Sequence, residues 1–200
     1  MSSCSYQSFD PLTLTPVGDE SIARISDLNK VWGRIVGKRV LDIGTNSGLV
    51  AITAVRRGAK HIEAVDVDTE LIHQLQEISQ KYSLPITASV CGFDRLCSED
   101  HRSEVVFCFE VIHWLVHQGK SPEEIVSKLD EVTGLVLFVE TPWDNTEKSI
   151  KARMNSHLEN YSLPKFFELF MERGFTIEIL GFATYFSDES RRVLMKLERK

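Results

Sequence analysis

From residue 38 onward, short apolar, β-branched runs alternate with segments whose apolar positions recur every three to four residues. That alternation predicts an α/β fold, a parallel sheet joined by crossover helices. Strands are predicted at Arg39–Ile43, His61–Asp66, Ile86–Val90, Glu104–Phe109, Leu135–Glu140, Thr176–Leu180 and Val193–Glu198. Ahead of the first, residues 19–35 set Ile22, Ile25, Leu28 and Trp32 on one stripe and stop before Gly37, which predicts a leading helix. A second helix runs from Ser47 to Arg57 and closes on Gly58, a residue suited to the left-handed position after a helix. Asp68-Thr69 caps a third, whose buried face is Leu71, Ile72, Leu75 and Ile78. Ser121-Pro122-Glu123-Glu124 opens another with an acidic first turn. Residues 1–18, with Pro11 and Pro16, show no periodicity and read as an arm, free or folded over the site. No internal repeat divides the chain, so the expected organisation is one domain: arm 1–18, leading helix 19–35, core 38–200.

Composition narrows the class. A chain of 200 residues has room for one domain, and 42% apolar with 26% charged residues is ordinary for a folded one. The net charge of −6 repels phosphate backbones and anionic membranes, so nucleic acid is an unlikely partner. Cys4, Cys91, Cys97 and Cys108 form no Cys-x-x-Cys pair, which fits a reducing compartment better than a disulfide framework. The Met-Ser-Ser-Cys-Ser-Tyr start carries no signal-peptide pattern, and no apolar run reaches the ~18 residues of a membrane span. The expected setting is the cytoplasm, a host's if the chain is viral.

The most informative stretch is Val40-Leu41-Asp42-Ile43-Gly44-Thr45-Asn46-Ser47-Gly48-Leu49-Val50-Ala51-Ile52: an apolar strand, a glycine loop, an apolar helix start. Glycines here let the backbone turn sharply and let a ligand approach main-chain N–H groups. Asp66 follows the second strand, 22 residues after Gly44, where a carboxylate accepts from ribose hydroxyls. The glycines are spaced G-x-x-x-G, however, and Asp42 stands two positions ahead of them. Asp42 would repel a pyrophosphate and suits a cationic ligand with an ammonium or sulfonium group. A nicotinamide cofactor is therefore disfavoured.

This stretch resembles the first motif of the class I S-adenosylmethionine-dependent methyltransferases, apolar-Asp-x-Gly-x-x-x-Gly, and the resemblance covers nearly the whole chain. It implies a Rossmann-like fold: a seven-stranded, mostly parallel sheet with an antiparallel last strand and helices on both faces. Carried over by position, it implies that Asp42 and Gly44 line the methionine part of the cofactor, that Asp66 holds the ribose, and that Val67 packs on the adenine. Phe93-Asp94 matches the family's adenine contact. Asn46 and Gly48 of the loop, and Glu110, complete the cofactor candidates. A narrower resemblance rests on Tyr6-Gln7-Ser8 with Arg24, on Cys108-Phe109-Glu110-Val111-Ile112-His113-Trp114-Leu115-Val116-His117, and on Glu140-Thr141-Pro142-Trp143. These look like glycan-modifying methyltransferases, among them the methyltransferase half of the O-antigen-capping kinase–methyltransferase. That resemblance implies Tyr6 and Arg24 as clamps on the cofactor, the arginine pairing with its carboxylate. It also implies association with glycosyltransferase or kinase modules.

Methyl transfer from a sulfonium is an in-line displacement that requires alignment and exclusion of water. A hydroxyl acceptor adds the need for a base. His113 is the first candidate, because it follows the fourth strand at the sheet's carboxyl edge. Glu140 and Asp144, flanking Trp143, are the others. Trp114 and Trp143 offer flat faces to a sugar, His117 shares a helix face with His113, and Lys148 with Lys151 forms a local positive cluster for a phosphate or acidic sugar. Glu110, His113 and His117 have metal-ligand types, but no further ligand accompanies them, and no metal is expected. The expected function is O-methylation of a sugar hydroxyl on a small-molecule or glycan acceptor. Its alternatives are transfer to a phosphate, on a glycan end or an RNA 5′ end, and a cofactor-binding but inactive partner subunit.

Overall fold

The structure is a computed structural model of the chain and describes residues 7–143, 161–183 and 192–199. Seven strands form one sheet: β1 Arg39–Ile43, β2 His61–Asp66, β3 Ile86–Val90, β4 Ser103–Phe109, β5 Thr133–Pro142, β6 Phe175–Phe182 and β7 Arg192–Arg199. Their order is β3-β2-β1-β4-β5-β7-β6. The first five pair in parallel, and β7 runs antiparallel to both β5 and β6. This is the expected Rossmann-like sheet with its reversed last strand. Apolar side chains cover both faces: Val40, Ile62, Phe107 and Phe138 point into one core, and Leu41, Val65, Val106 and Leu137 into the other. A sheet buried on both faces needs near-continuous apolar strands, which is why these runs were legible.

The helices follow local signals with one notable exception. α1 spans Asp19–Asp27, then the chain tightens into 3-10 turns at Leu28–Lys30 and Trp32–Arg34. The leading helix over 19–35 is therefore about half as long as expected; Ile25, Leu28 and Trp32 of its predicted stripe are buried, while Ile22 is exposed and Ser21 and Arg24 are buried beside them. The Ser21 hydroxyl accepts the Ser8 N–H at 2.8 Å, so a polar contact with the arm outweighs burial of Ile22. α2 (Leu49–Arg56) and α3 (Thr69–Lys81) follow, with the Asp68 carboxylate accepting from the N–H groups of Glu70 and Leu71. α4 (Ser98–His101), α5 (Ile112–His117), α6 (Pro122–Val132) and α7 (Leu163–Glu172) complete the set. At α6 the capping box closes both ways, with the Ser121 hydroxyl accepting from the Glu124 N–H and the Glu124 carboxylate accepting from the Ser121 N–H.

Described from residue 7, the arm folds back over the helices. Arg56 donates to the carbonyls of Thr13 and Leu14, and the Tyr82 hydroxyl donates to that of Pro11. The Ser47 hydroxyl, in the glycine loop, donates to the Gln7 carbonyl. Cys91, Cys97 and Cys108 are free thiols. No helix among the described residues is long and apolar enough to cross a membrane. Tyr6, Asp144, Lys148 and Lys151, with the rest of 144–160, lie outside the described residues.

Candidate active site

β1 ends on Asp42-Ile43 at the carboxyl edge of the sheet, between β2 and β4. The chain then turns through Gly44, whose N–H donates to the Val65 carbonyl, and enters α2 at Gly48. Both glycines have positive φ, +73° and +83°, a region that L side chains rarely occupy. Space forbids a side chain as well. A Cβ on Gly44 would lie 2.5 Å from Val111, and one on Gly48 would lie 2.5 Å from Leu75. The loop is thereby pinned against α3 on one side and the start of α5 on the other.

Asp66, the last residue of β2, is held by two backbone donors. One oxygen accepts the Asn46 N–H at 2.8 Å, and the other accepts the Asp68 N–H at 3.0 Å. A cavity of about 470 Å³ opens in front of it. Asp66, Val67, Phe93 and Asp94 line one part of the cavity; Gly44 and Asn46 line its floor; Gln7, Phe109, Glu110 and Trp114 line the other part. Eight sequence-predicted residues thus meet on one surface. Asp94 pairs with Lys120 at 2.5 Å, and Lys120 also lines the cavity.

Behind that wall lies a buried network of charge. Arg24 pairs with Glu140 at 3.0 Å, and Arg192 pairs with Glu110. All four side chains are almost fully buried. Burial and the neighbouring Glu140 carboxylate push the Glu110 carboxyl up, while Arg192 pulls it down. Glu110 also holds a left-handed backbone, φ 63°, and its N–H donates to the Glu140 carbonyl. Its Oε1 is buried without a hydrogen-bond partner among the described residues, as is Oε1 of Gln7.

Other residues singled out in the sequence lie outside the cavity wall or in buried pairs. Asp42 does not line the cavity: it is buried, accepts the Thr45 hydroxyl at 2.7 Å, and desolvation lifts its carboxyl to about 6. Gly48 does not line it either and serves loop packing. Glu140 is engaged with Arg24. His113 is 3% exposed, is absent from the cavity wall, and is driven to about 3 by burial and the nearby Arg192 charge. It is a neutral and weakly basic imidazole packed against Trp114, with ring centres 5.6 Å apart. His117 packs on the other side of Trp114 at 6.2 Å and does not line the cavity. Trp143 lies away from it, edge-on to Phe182. Among the described residues, the ligand atoms of Glu110, His113 and His117 do not form a common cluster.

Three residues went unremarked in the sequence. Gln7 stands in the arm beside Tyr6, Lys120 precedes the cap of α6, and Arg192 opens β7, where a charge at the head of an apolar run is the one visible signal. Tertiary contact gives each its place.

Residues 40–133 match the model of a family described as a methyltransferase domain. S-adenosylmethionine is bound in one of the solved structures that this chain is similar to. Magnesium protoporphyrin IX methyltransferase (ChlM) from Synechocystis PCC 6803, with bound S-adenosylhomocysteine, is similar at a TM-score of 0.65 and 16% identity, over 95% of this chain and 83% of that one. WbdD is similar at a TM-score of 0.66 and 15% identity, over 92% of this chain and 41% of that one. At such identities the likeness is one of fold. By sequence, this chain is 41% identical over 51 residues to ribosomal protein L11 methyltransferase from Thermotoga neapolitana. That match spans 26% of this chain and 19% of the relative, so the chain covers about a fifth of the length of the curated protein it matches.

Proposed function

We propose that the chain transfers a methyl group from S-adenosylmethionine to a hydroxyl of a carbohydrate acceptor. The observation that carries the cofactor half is Asp66: a carboxylate fixed by two backbone N–H groups at the end of β2, facing a cavity large enough for a nucleoside ligand. The surrounding residues fit that cofactor. The side-chain-free backbone at Gly44 allows close approach, and the orphaned Oε1 atoms of Gln7 and Glu110 are buried acceptors suited to an ammonium group. In this reading Gln7 and Glu110 hold the amino-acid end, Asp66 the ribose, and Val67, Phe93 and Asp94 the adenine. Arg24 and Arg192 act from behind by fixing Glu140 and Glu110. When bound, the cofactor supplies an electrophilic methyl on a sulfonium.

The acceptor half rests on the resemblance to glycan-modifying methyltransferases and on Trp114, a 39% exposed aromatic face on the cavity rim. His113 and His117 support that ring from either side and serve as positioning residues. With Glu140 engaged and His113 weakly basic, Asp144 carries the proton-accepting role in this proposal. Association with a glycosyltransferase or kinase module belongs to the same reading.

Calorimetry with S-adenosylhomocysteine and with NAD tests the cofactor half. Binding of the former is expected, with Asp66→Asn weakening it about 10- to 100-fold, the worth of a charge-assisted hydrogen bond. Binding of NAD alone would overturn it. Labelled-methyl transfer to free sugars, oligosaccharides, phosphosugars and RNA then tests the acceptor. Sugar turnover lost in Asp144→Asn is the expected result, transfer only to phosphate-bearing acceptors would replace it, and tight binding without any turnover would indicate an inactive partner subunit.

A further inference from the structure

Outside the cavity, on the side of the segment that follows β3, three metal-ligand side chains come together. Among the described residues, Cys97, Asp100 and His101 form a group whose ligand atoms lie mutually within 4.8 Å. Cys97 Sγ stands 3.5 Å from Asp100 Oδ2 and 3.8 Å from His101 Nδ1. A tetrahedral zinc ion has bonds of about 2.3 Å to sulfur and about 2.0–2.1 Å to nitrogen or oxygen, which sets its sulfur-to-nitrogen and sulfur-to-oxygen edges at about 3.5–3.6 Å. The observed spacings are those edges to within a few tenths of an ångström. We propose that Cys97, Asp100 and His101 form a binding site for a soft divalent cation of the zinc type, with solvent in the fourth position.

Three further observations support the site. The first is the state of the imidazole. Nδ1 accepts the Cys97 N–H at a long 3.3 Å, a weak bond that a bound ion would replace, and the thiol lies 3.8 Å from the same atom. On the far edge of the ring, Nε2 lies 3.7 Å from the Glu63 carboxylate. A carboxylate behind a ligating histidine helps to orient its ring. The second is rigidity. α4 is tied down at both ends to the end of α6: Glu131 accepts the Ser98 N–H at 3.0 Å through its side chain and donation from Arg102 at 2.9 Å through its carbonyl. Leu96, next to Cys97, is fully buried. A ligand set held this way loses little freedom on binding. The third is access, since Cys97 and His101 are half-buried and Asp100 is exposed.

Cys91 supplies an internal control. Its sulfur lies 3.8 Å from Nε2, on the Glu63 side of the ring, so it cannot join an ion seated at Nδ1. Cys91 also lines the cavity, which places the proposed ion behind the wall formed by Cys91, Gly92, Phe93 and Asp94 without contact with the cavity itself. The inference stands independently of the acceptor.

The test is titration of the reduced full chain with cobalt(II), followed by displacement with zinc(II). One equivalent of cobalt should give a thiolate-to-metal charge-transfer band and tetrahedral ligand-field bands, and zinc should remove both. Cys97→Ser should abolish the charge-transfer band, His101→Gln should weaken binding at least 30-fold, and Glu63→Gln should weaken it about tenfold. Cys91→Ser and Cys4→Ser should leave the spectrum intact. Each variant exchanges side chains of similar size, and unchanged circular dichroism checks the fold. Absence of the band in the native chain, its persistence in Cys97→Ser, or its loss in Cys91→Ser would overturn the proposal.

Discussion

At Gly48 a single torsion and a single contact govern the loop on which the cavity rests. Its φ of +83° and the 2.5 Å approach of Leu75 to the position of a Cβ act together. A side chain there costs left-handed strain of ~1–2 kcal/mol and overpacking of ~1–3 kcal/mol. Gly48→Ala is expected to lower stability by about 2–4 kcal/mol in urea unfolding. Gly119→Ala, at similar φ but with open space around it, should lose only about 1 kcal/mol. Equal losses would remove Leu75 from the account. Asp66 was legible in the sequence because its place depends only on spacing from the glycines along a strand–loop–helix–strand unit. Asp42 was legible as a motif position but not in its environment. Its burial, its bond from Thr45 and the charge of Arg24 all come from residues brought near by folding.

Among the elements, the bond between α1 and β5 sets the position of the cavity's back wall. Arg24 projects from α1, lies 5.9 Å over the Phe109 ring, and pairs with Glu140 near the end of β5. Such a pair contributes modestly against an apolar equivalent, but removing one partner strands a buried charge at a cost of about 3–5 kcal/mol. Arg24→Met should therefore destabilise strongly, and adding Glu140→Leu should recover much of the loss. A double-mutant cycle in denaturant midpoints measures the recovery, and additive losses would mean that the pair is not the source. The sequence could not supply this link. Arg24 lies beside an apolar stripe of which Ile25, Leu28 and Trp32 are buried, and nothing in that stripe marks an arginine as an inward residue. The strands, by contrast, were read to within two residues at each end, and the central ones most clearly, since cover on both faces demands apolar residues along them.

For the molecule as a whole, the buried titratable groups predict a pH signature. His113 binds a proton at about 3 in the folded chain against an ordinary 6.5, so below pH 6.5 the unfolded state takes a proton that the native state refuses. Stability attributable to His113 is complete above 6.5 and falls as pH drops toward 3. Asp42 acts oppositely: its folded value of about 6 against 3.8 makes the native state the stronger binder between those values, so acidification from 6 to 4 adds stability. The two effects offset each other over that interval. His113→Gln removes one of them, and its stability relative to the native chain should rise by about 2 kcal/mol between pH 7 and pH 5. A difference that stays constant with pH would show that the imidazole is not held neutral by burial.

The sequence by itself determined the strand runs, the reversed final strand expected of the family it resembles, the glycine loop, the acid after β2 and the cap of α6. Each of these depends on residues close together along the chain, or on an apolar demand that every residue of a buried strand must meet. Tertiary structure decided which charged groups face ligand and which face one another. It turned Arg24 and Glu140 into a buried pair, and it withdrew His113 from the cavity. It also brought Arg192 from the start of β7 to Glu110 at the end of β4, and set Glu63 of β2 behind His101 of α4. The physical reason is the same throughout. A buried charge must find its partner wherever the fold provides one, and that partner can stand 82 residues away in the chain.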